Sequence, residues 1–218
     1  MSTRLILVRH GQTAHNVAGR IAGSTDSPLS DLGREQAACV AEHVAASYAL
    51  DVLYASPLQR ALHTALAIGE RAGLAPRLRD DLRELNFGDM ENSCESEIAK
   101  ALPEAWRASR NLEDLDFAWP NGERRGEFFA RVRRALDEIV AAHPDQVVGI
   151  VAHGAVIGSF LADIAEGRPW LWRKYLMFNC ALSEVIADGG QLALARYNEA
   201  GFLPESEPDP LIVALTRG

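Results

Sequence analysis

A chain of 218 residues, 48% apolar and 24% charged, has the composition of an average soluble globular protein and enough length for one substantial core, or a core plus a cap. Its formal net charge of -8 argues against bulk nucleic-acid binding, and no apolar run approaches the roughly 20 residues that cross a bilayer, so neither nucleic acid nor membrane is an expected partner. Small anions stay within reach, because a few arginines in one pocket outweigh a diffuse field that salt screens over about 10 Å.

No secretory signal is visible at the N-terminus, and Cys39, Cys94 and Cys180 lie far apart without metal-type spacing. Reduced thiols and a cytoplasmic location are the expectation. In chain order, Leu5 to Val8 of "RLILVRHG" read as a strand buried on both faces, which the chain leaves through Arg9 and His10. Residues 31–47, "DLGREQAACVAEHVAAS", space their apolar positions as a helix does. Residues 51–73 read as a strand and then a helix, with Ser56 as N-cap, Pro57 at the first helical position and Gly73 as terminator.

Residues 86–122 break this rhythm, setting Trp106, Phe117 and Trp119 among many charges, and are expected to form an insertion that caps one end of the sheet. A further helix is predicted over 126–143 and a buried strand over 147–152, the latter leaving through His153 and Gly154. The aromatic and basic run "RPWLWRKYLMF", 168–178, reads more readily as core than as contact, although a homodimer patch stays open. Strands follow at 181–188 and 191–198; the Pro-rich acidic tail at 204–210 reads as extended, and "LIVAL", 211–215, as a docking strand. The fold class is therefore α/β: one domain over 1–218, a mainly parallel sheet with helices on both faces in three α/β/α layers, and a helical cap insertion over the strand ends.

Ligands of parallel sheets bind beyond the carboxyl ends of the strands. Arg9, His10 and His153 sit at such ends, and Arg60 lies in the first turns of the helix after the second strand, so four basic groups can converge where a helix start also offers free N–H groups. Singly, each has an ordinary structural reading: a surface salt bridge, a turn residue, a solvated helix residue, a hydrogen-bonded core histidine. Their coincidence at three strand ends, with Gly11 and Gly154 allowing close approach after the two histidines, points to a phosphate site.

"LVRHGQTAHN", "GSTDSPLSDLGREQA", "SPLQRALHTA", "LRELNFGD" and "VAHGAVI", in this order between residues 7 and 157, resemble the successive motifs of the histidine phosphatase (phosphoglycerate-mutase-like) superfamily, and "FNCALSEV" fits its late asparagine-containing strand. The resemblance implies a phosphomonoester hydrolase that acts through a phosphohistidine on a small phosphorylated metabolite, without metal or cofactor. It makes His10 the nucleophile, consistent with an imidazole that, with a pKa of about 6.5, is substantially neutral at pH 7. Arg9 and Arg60 become the phosphoryl clamp, His153, when protonated beside the phosphate, a further donor, and Glu84 the proton donor to the leaving oxygen, with Asp80 and Asp81 as rivals on sequence alone. Gln12, Asn16, Gly23 and Gly154 match positions around the phosphate; His15 reads as structural.

The chain departs from the family pattern at "GDMENS", 88–93, and at Gly122, Glu123 and Arg124, which leaves the shape of the cap open. A cofactor-dependent phosphoglycerate mutase is the alternative, but the insertion holds only the isolated Arg107 and Arg110 where those mutases carry an arginine pair. Two further readings are a metal-dependent hydrolase using the histidines with Asp26 or Asp31, and a phosphate-binding module without catalysis. Arginines beside the histidines disfavour the first, and five matching catalytic positions disfavour the second.

Overall fold

The computed structural model describes residues 2–204. Six strands form one sheet: β1 (Thr3–Arg9), β2 (Val52–Ala55), β3 (Arg77–Leu78), β4 (Val147–Ala152), β5 (Leu182–Asp188) and β6 (Gln191–Glu199), in the order β3-β2-β4-β1-β5-β6. The first four are mutually parallel; β5 runs antiparallel to β1, and β6 antiparallel to β5. Register pairs Arg9 with Ala152 and Ala55 with Val151, so β1, β4 and β2 end together along one edge.

The buried strands separate the layers by simple alternation. Leu5, Leu7, Val52, Tyr54, Val148 and Ile150 point to one face, where they pack with Phe128, Val132, Leu136 and Ile139 of α6 (Arg125–Ala142) and with Val156 and Phe160 of α7 (Gly154–Glu166). Ile6, Val8, Leu53, Ala55 and Val151 point to the other, against Val40, Ala41 and Val44 of α2 (Asp31–Ser47) and Ala61, Ala65 and Ile68 of α3 (Gln59–Ala72). An unbroken apolar run thus feeds two cores at once, which explains why Leu5–Val8 of β1 and all of β4 lack the polar positions of a half-exposed strand. Between them the predicted three-layer α/β/α arrangement is observed.

The segment over the strand ends carries the short helices α4 (Glu95–Ala101) and α5 (Pro103–Ser109), after α1 (Ala14–Val17) earlier in the chain. It has a small core of its own, in which Ile21, Met90, Ile98 and Trp119 pack with Phe117 and Trp106. The 168–178 run folds as 3-10 turns over Pro169–Tyr175, with Trp172, Leu176 and Met177 buried, Trp170 and Tyr175 half-buried against the core, and Phe178 exposed. Cys180 is buried and Cys39 and Cys94 are partly so; all three are free thiols. No helix among the described residues is long and apolar enough to cross a membrane. The extended tail and the docking strand expected beyond residue 204 lie outside the described residues.

The start of α3 differs from expectation. The helix begins at Gln59 with Leu58 at the N-cap, so Pro57 precedes it instead of opening it, and Ser56 does not cap it. The first helical N–H, that of Gln59, instead donates to Asp26 Oδ1 at 2.7 Å, because the loop before α2 delivers a carboxylate there and the Ser56 hydroxyl is engaged with His153. Gly73 ends the helix in the left-handed conformation, as predicted.

Glycine is required where the loop after β1 crosses the first turn of α2: a Cβ on Gly33 would stand 2.0 Å from the Gln12 carbonyl oxygen. Neither backbone has room to yield. Gly33→Ala is expected to destabilise the protein at the upper end of the roughly 1–3 kcal/mol of an overpacked core, measured by urea unfolding; an unchanged midpoint would show that the loop can move aside.

Candidate active site

The common edge of β1, β4 and β2 places Arg9 at the last position of the first strand and His10, His153 and Ser56 one residue beyond the three ends. The His10 backbone is fixed there, its N–H donating to Ala152 O at 3.0 Å and its carbonyl accepting from Asn179 Nδ2 at 3.0 Å. Its side chain is 5% exposed, and Nδ1 donates to Gly11 O at 2.8 Å, which leaves the Nε2 lone pair for chemistry. Burial foremost, then the charges of Arg60 and Arg9, push this imidazole well below its usual pKa, so it is neutral at pH 7.

Arg60 is 1% exposed, a guanidinium carried into the interior by α3. It donates from Nη2 to Gly23 O at 2.6 Å and from Nη1 to Thr25 O at 2.9 Å, and burial lowers its pKa to about 10, against the opposing fields of Glu84 and Asp26; it remains a cation at neutral pH. Arg9 Nη1 donates to Met177 O at 2.7 Å. Backbone carbonyls thereby aim both arginines, Arg60 through both terminal nitrogens and Arg9 through Nη1.

His153 is fully buried, with its ring centroid 5.2 Å from that of His10. Its Nε2 meets Ser56 Oγ at 2.7 Å, whereas its Nδ1 is buried without a hydrogen-bond partner. Burial first, then Arg60, His10 and Arg9, depress the pKa of this ring well below the usual value. Glu84 accepts from the backbone N–H groups of Leu85 at 2.9 Å and Ala155 at 3.0 Å. Burial nevertheless raises its pKa, prevailing over those amides and over Arg60 and Arg9. The rivals Asp81 and Asp80 face arginines on the outside, Arg79 and Arg83 respectively.

One cavity collects these groups. Arg9, His10, Asn16, Gly23, Arg60, Glu84 and Gly154 line it, and the buried His153 stands beside His10, their ring centroids 5.2 Å apart. Gln12 is not brought to it: its side-chain oxygen accepts from Ser30 Oγ at 2.9 Å, because Gly33 draws the loop onto α2 and turns that residue toward the helix start. His15 bridges Ser27 and Asn92 as a structural residue would. Asp26 caps α3 and Asp31 pairs with Arg34, and among the described residues no three acidic, histidine or cysteine side chains converge as metal ligands would.

Two supporting carboxylates carry no obvious sequence signal. Glu91 accepts from the backbone and hydroxyl of Ser24 (2.7 and 2.8 Å) and of Thr25 (2.7 and 2.5 Å), and so holds the loop whose carbonyls clamp Arg60. Its carboxylate fits only because residue 23 is glycine, at φ +54°, where a Cβ would stand 2.2 Å from Glu91 Oε1. Glu123 pairs with Arg131 at 2.7 Å, and Arg131 in turn donates to the carbonyls of Asp81, Arg83 and Glu84, gathering the segment that presents Glu84. Asn179, by contrast, was legible in "FNCALSEV".

A sequence profile described as the histidine phosphatase superfamily (branch 1) matches residues 5–200. The chain is 39% identical over 171 residues to the glucosyl-3-phosphoglycerate phosphatase of Mycobacterium tuberculosis, covering 75% of each protein. It is 38% identical over 205 residues to phosphoglycerate mutase-like protein 4 of Arabidopsis thaliana, covering 93% of this chain and 87% of that one. Among solved structures, the α-ribazole phosphatase of Shigella flexneri superposes with a TM-score of 0.81 at 27% identity, over 94% of this chain and 99% of that one. With motifs, fold and site in agreement, the chain belongs to the histidine phosphatase superfamily, branch 1.

Proposed function

We propose that the protein hydrolyses the phosphomonoester of a small metabolite through a phosphohistidine at His10. The observation that carries this reading is the Nδ1–H to Gly11 O hydrogen bond at 2.8 Å, which presents a neutral Nε2 between two arginines in the cavity. Nε2 attacks phosphorus as the bond to the leaving oxygen breaks, and Glu84 delivers its proton to that oxygen. Water then attacks the phosphohistidine, giving one proton to the Glu84 carboxylate, and the N–P bond opens to release phosphate and restore His10. Arg9 and Arg60 meet the charge on the phosphoryl oxygens, and the buried, unpartnered Nδ1 of His153 gains a partner as phosphate settles nearby.

Names borne by the relatives, phosphatases of glucosyl-3-phosphoglycerate and α-ribazole phosphate, support this substrate class. The mutase alternative lacks support in the cap, where Arg107 and Arg110 are exposed and off the cavity wall. All groups in the scheme come from this chain, with no metal or cofactor. The test is turnover of p-nitrophenyl phosphate in excess EDTA, with a phosphoenzyme trapped that survives base and is lost in acid. Absence of turnover, or a phosphoenzyme absent under rapid quench, counts against it.

The same assay has a signed pH dependence. Below the His10 pKa, itself depressed from 6.5, the imidazole is protonated and cannot attack; above the Glu84 pKa, itself raised from 4.5, the carboxyl is ionised and cannot donate. A bell-shaped kcat/KM is expected for alkyl phosphates, with its acid limb below pH 6.5 and its alkaline limb above 4.5. An acid limb at or above 6.5 would contradict the neutral, buried His10.

A further inference from the structure

Beyond the phosphate end, the cavity is lined by the aromatic residues of the cap, Trp106, Phe117 and Trp119, by Trp172, and by two more arginines, Arg125 and Arg173. Arg125 is fixed by carbonyls: Nη1 donates to Asn111 O and Nη2 to Ser109 O, both at 2.5 Å, with a longer contact from Nη1 to Asp114 O, while its Cζ lies 4.5 Å from the Phe117 ring centroid. None of these partners carries charge. Arg173 stands over the Trp172 ring at 5.5 Å and makes no hydrogen bond or ion pair among the described residues, and its Nε is buried without a partner.

Among the described residues no carboxylate contacts either guanidinium, although Asp114 favours the Arg125 cation through space. Glu95 favours the Arg173 cation through space but makes no contact with it, and Arg110 opposes it. Arg20, also on the wall, is already occupied by Glu97 and the Asn92 carbonyl. Burial and the neighbouring Arg173 lower the Arg125 pKa to about 10. Two like charges in an aromatic, partly dehydrated wall cost free energy unless an anion joins them, and a guanidinium fork suits a carboxylate or phosphate.

We propose that the cap holds a second oxyanion of the substrate, so that the preferred phosphomonoesters are those whose leaving group itself carries a carboxylate or a phosphate, bound by Arg173 in the fixed field of Arg125. This rests on the hydrolase reading above and narrows it. Arg9 and Arg60 belong to the phosphoryl end that breaks; Arg173 sets which molecule is attached to it.

Matched substrates of equal chain length test it: 3-phosphoglycerate against glycerol 3-phosphate, 6-phosphogluconate against sorbitol 6-phosphate, and fructose 1,6-bisphosphate against fructose 6-phosphate, with p-nitrophenyl phosphate as reference. The wild type is expected to favour the anionic member of at least one pair by about tenfold or more in kcat/KM, the scale of one charged hydrogen-bonded contact. The carboxylate pairs and the phosphate pair show which oxyanion is taken. Arg173→Met should bring the ratio toward one, and Arg173→Lys should retain part of it.

A wild-type ratio near one in every pair, or a ratio untouched by Arg173→Met, overturns the second-anion subsite while turnover of p-nitrophenyl phosphate leaves the hydrolase reading standing. No turnover of any ester overturns both. The wild-type ratios need no variant, so the test survives if Arg173→Met does not fold.

Discussion

Replacing His10 by alanine is expected to reduce hydrolysis of p-nitrophenyl phosphate by about 10³-fold or more, with the far-UV spectrum and unfolding midpoint little changed. The fold should survive because the contacts that seat residue 10 belong to its backbone: its N–H to Ala152 O, and its carbonyl to Asn179 Nδ2. Only the internal bond from Nδ1 to Gly11 O leaves with the ring. Activity should fall steeply because no neighbouring group can take over: the Arg9 and Arg60 guanidiniums are cations, and His153 is fully buried with its Nε2 held by Ser56 Oγ. Adding imidazole to the variant should restore part of the turnover through the space the side chain vacates. A variant as active as the wild type would remove His10 as the nucleophile.

Glu84→Gln carries the second large effect, and its size should depend on the leaving group. An alkoxide needs a proton as the P–O bond breaks, so hydrolysis of glycerol 3-phosphate should slow by about 10²–10⁴-fold, the range of general acid catalysis. p-Nitrophenolate is stable without one, and its release should slow by less than about tenfold. The alkaline limb of the pH profile should vanish with the carboxyl. Some stability should go as well, because the carboxylate accepts from two amides, Leu85 N–H and Ala155 N–H, and the amide side chain offers only one acceptor oxygen. One unmet N–H costs about 1–3 kcal/mol. Equal losses on both esters would assign Glu84 to positioning alone.

The layers of the fold were readable because the pattern of β1 and β4 is physical and local: unbroken apolar runs need cover on both sides, and the helical periodicities of α2 and α6 supply it. Arg9, His10 and His153 were readable for the opposite reason, since charged and polar residues at the ends of such strands have no use for the core. The N-cap of α3 was misread because Ser56 and Asp26 are chemically interchangeable as caps, and only the tertiary fold brings the second across 33 residues. Gln12 was misplaced through its motif; it stands three residues from the phosphate strand but turns to Ser30. Glu91 was seen only as part of an atypical "GDMENS", because its reach of 67 residues back to Ser24 has no local trace. Arg173 lay in a run whose aromatic content drew attention to packing, and its lack of a partner becomes visible only when the neighbours are in place.

The bond between Glu91 and the 24–25 loop divides the cap into two parts with different freedom to diversify. Residues that accompany Glu91 are mechanically continuous with Arg60, since the same loop offers its Gly23 and Thr25 carbonyls to that guanidinium. A substitution there perturbs the machinery shared by every substrate. Beyond it, α4, α5 and the turn to Trp119 rest on a small cluster that they share with Ile21 and Met90, and Glu97 of α4 pairs with Arg20, but none of these contacts reaches Glu91 or Arg60 directly. Lineages can therefore exchange or redraw that outer part, changing which metabolite is admitted, while the chemistry beneath is inherited intact. The seam for such an exchange lies just after Glu91 on one side and before Glu123 on the other, since Glu123 holds Arg131 and through it the Glu84 segment.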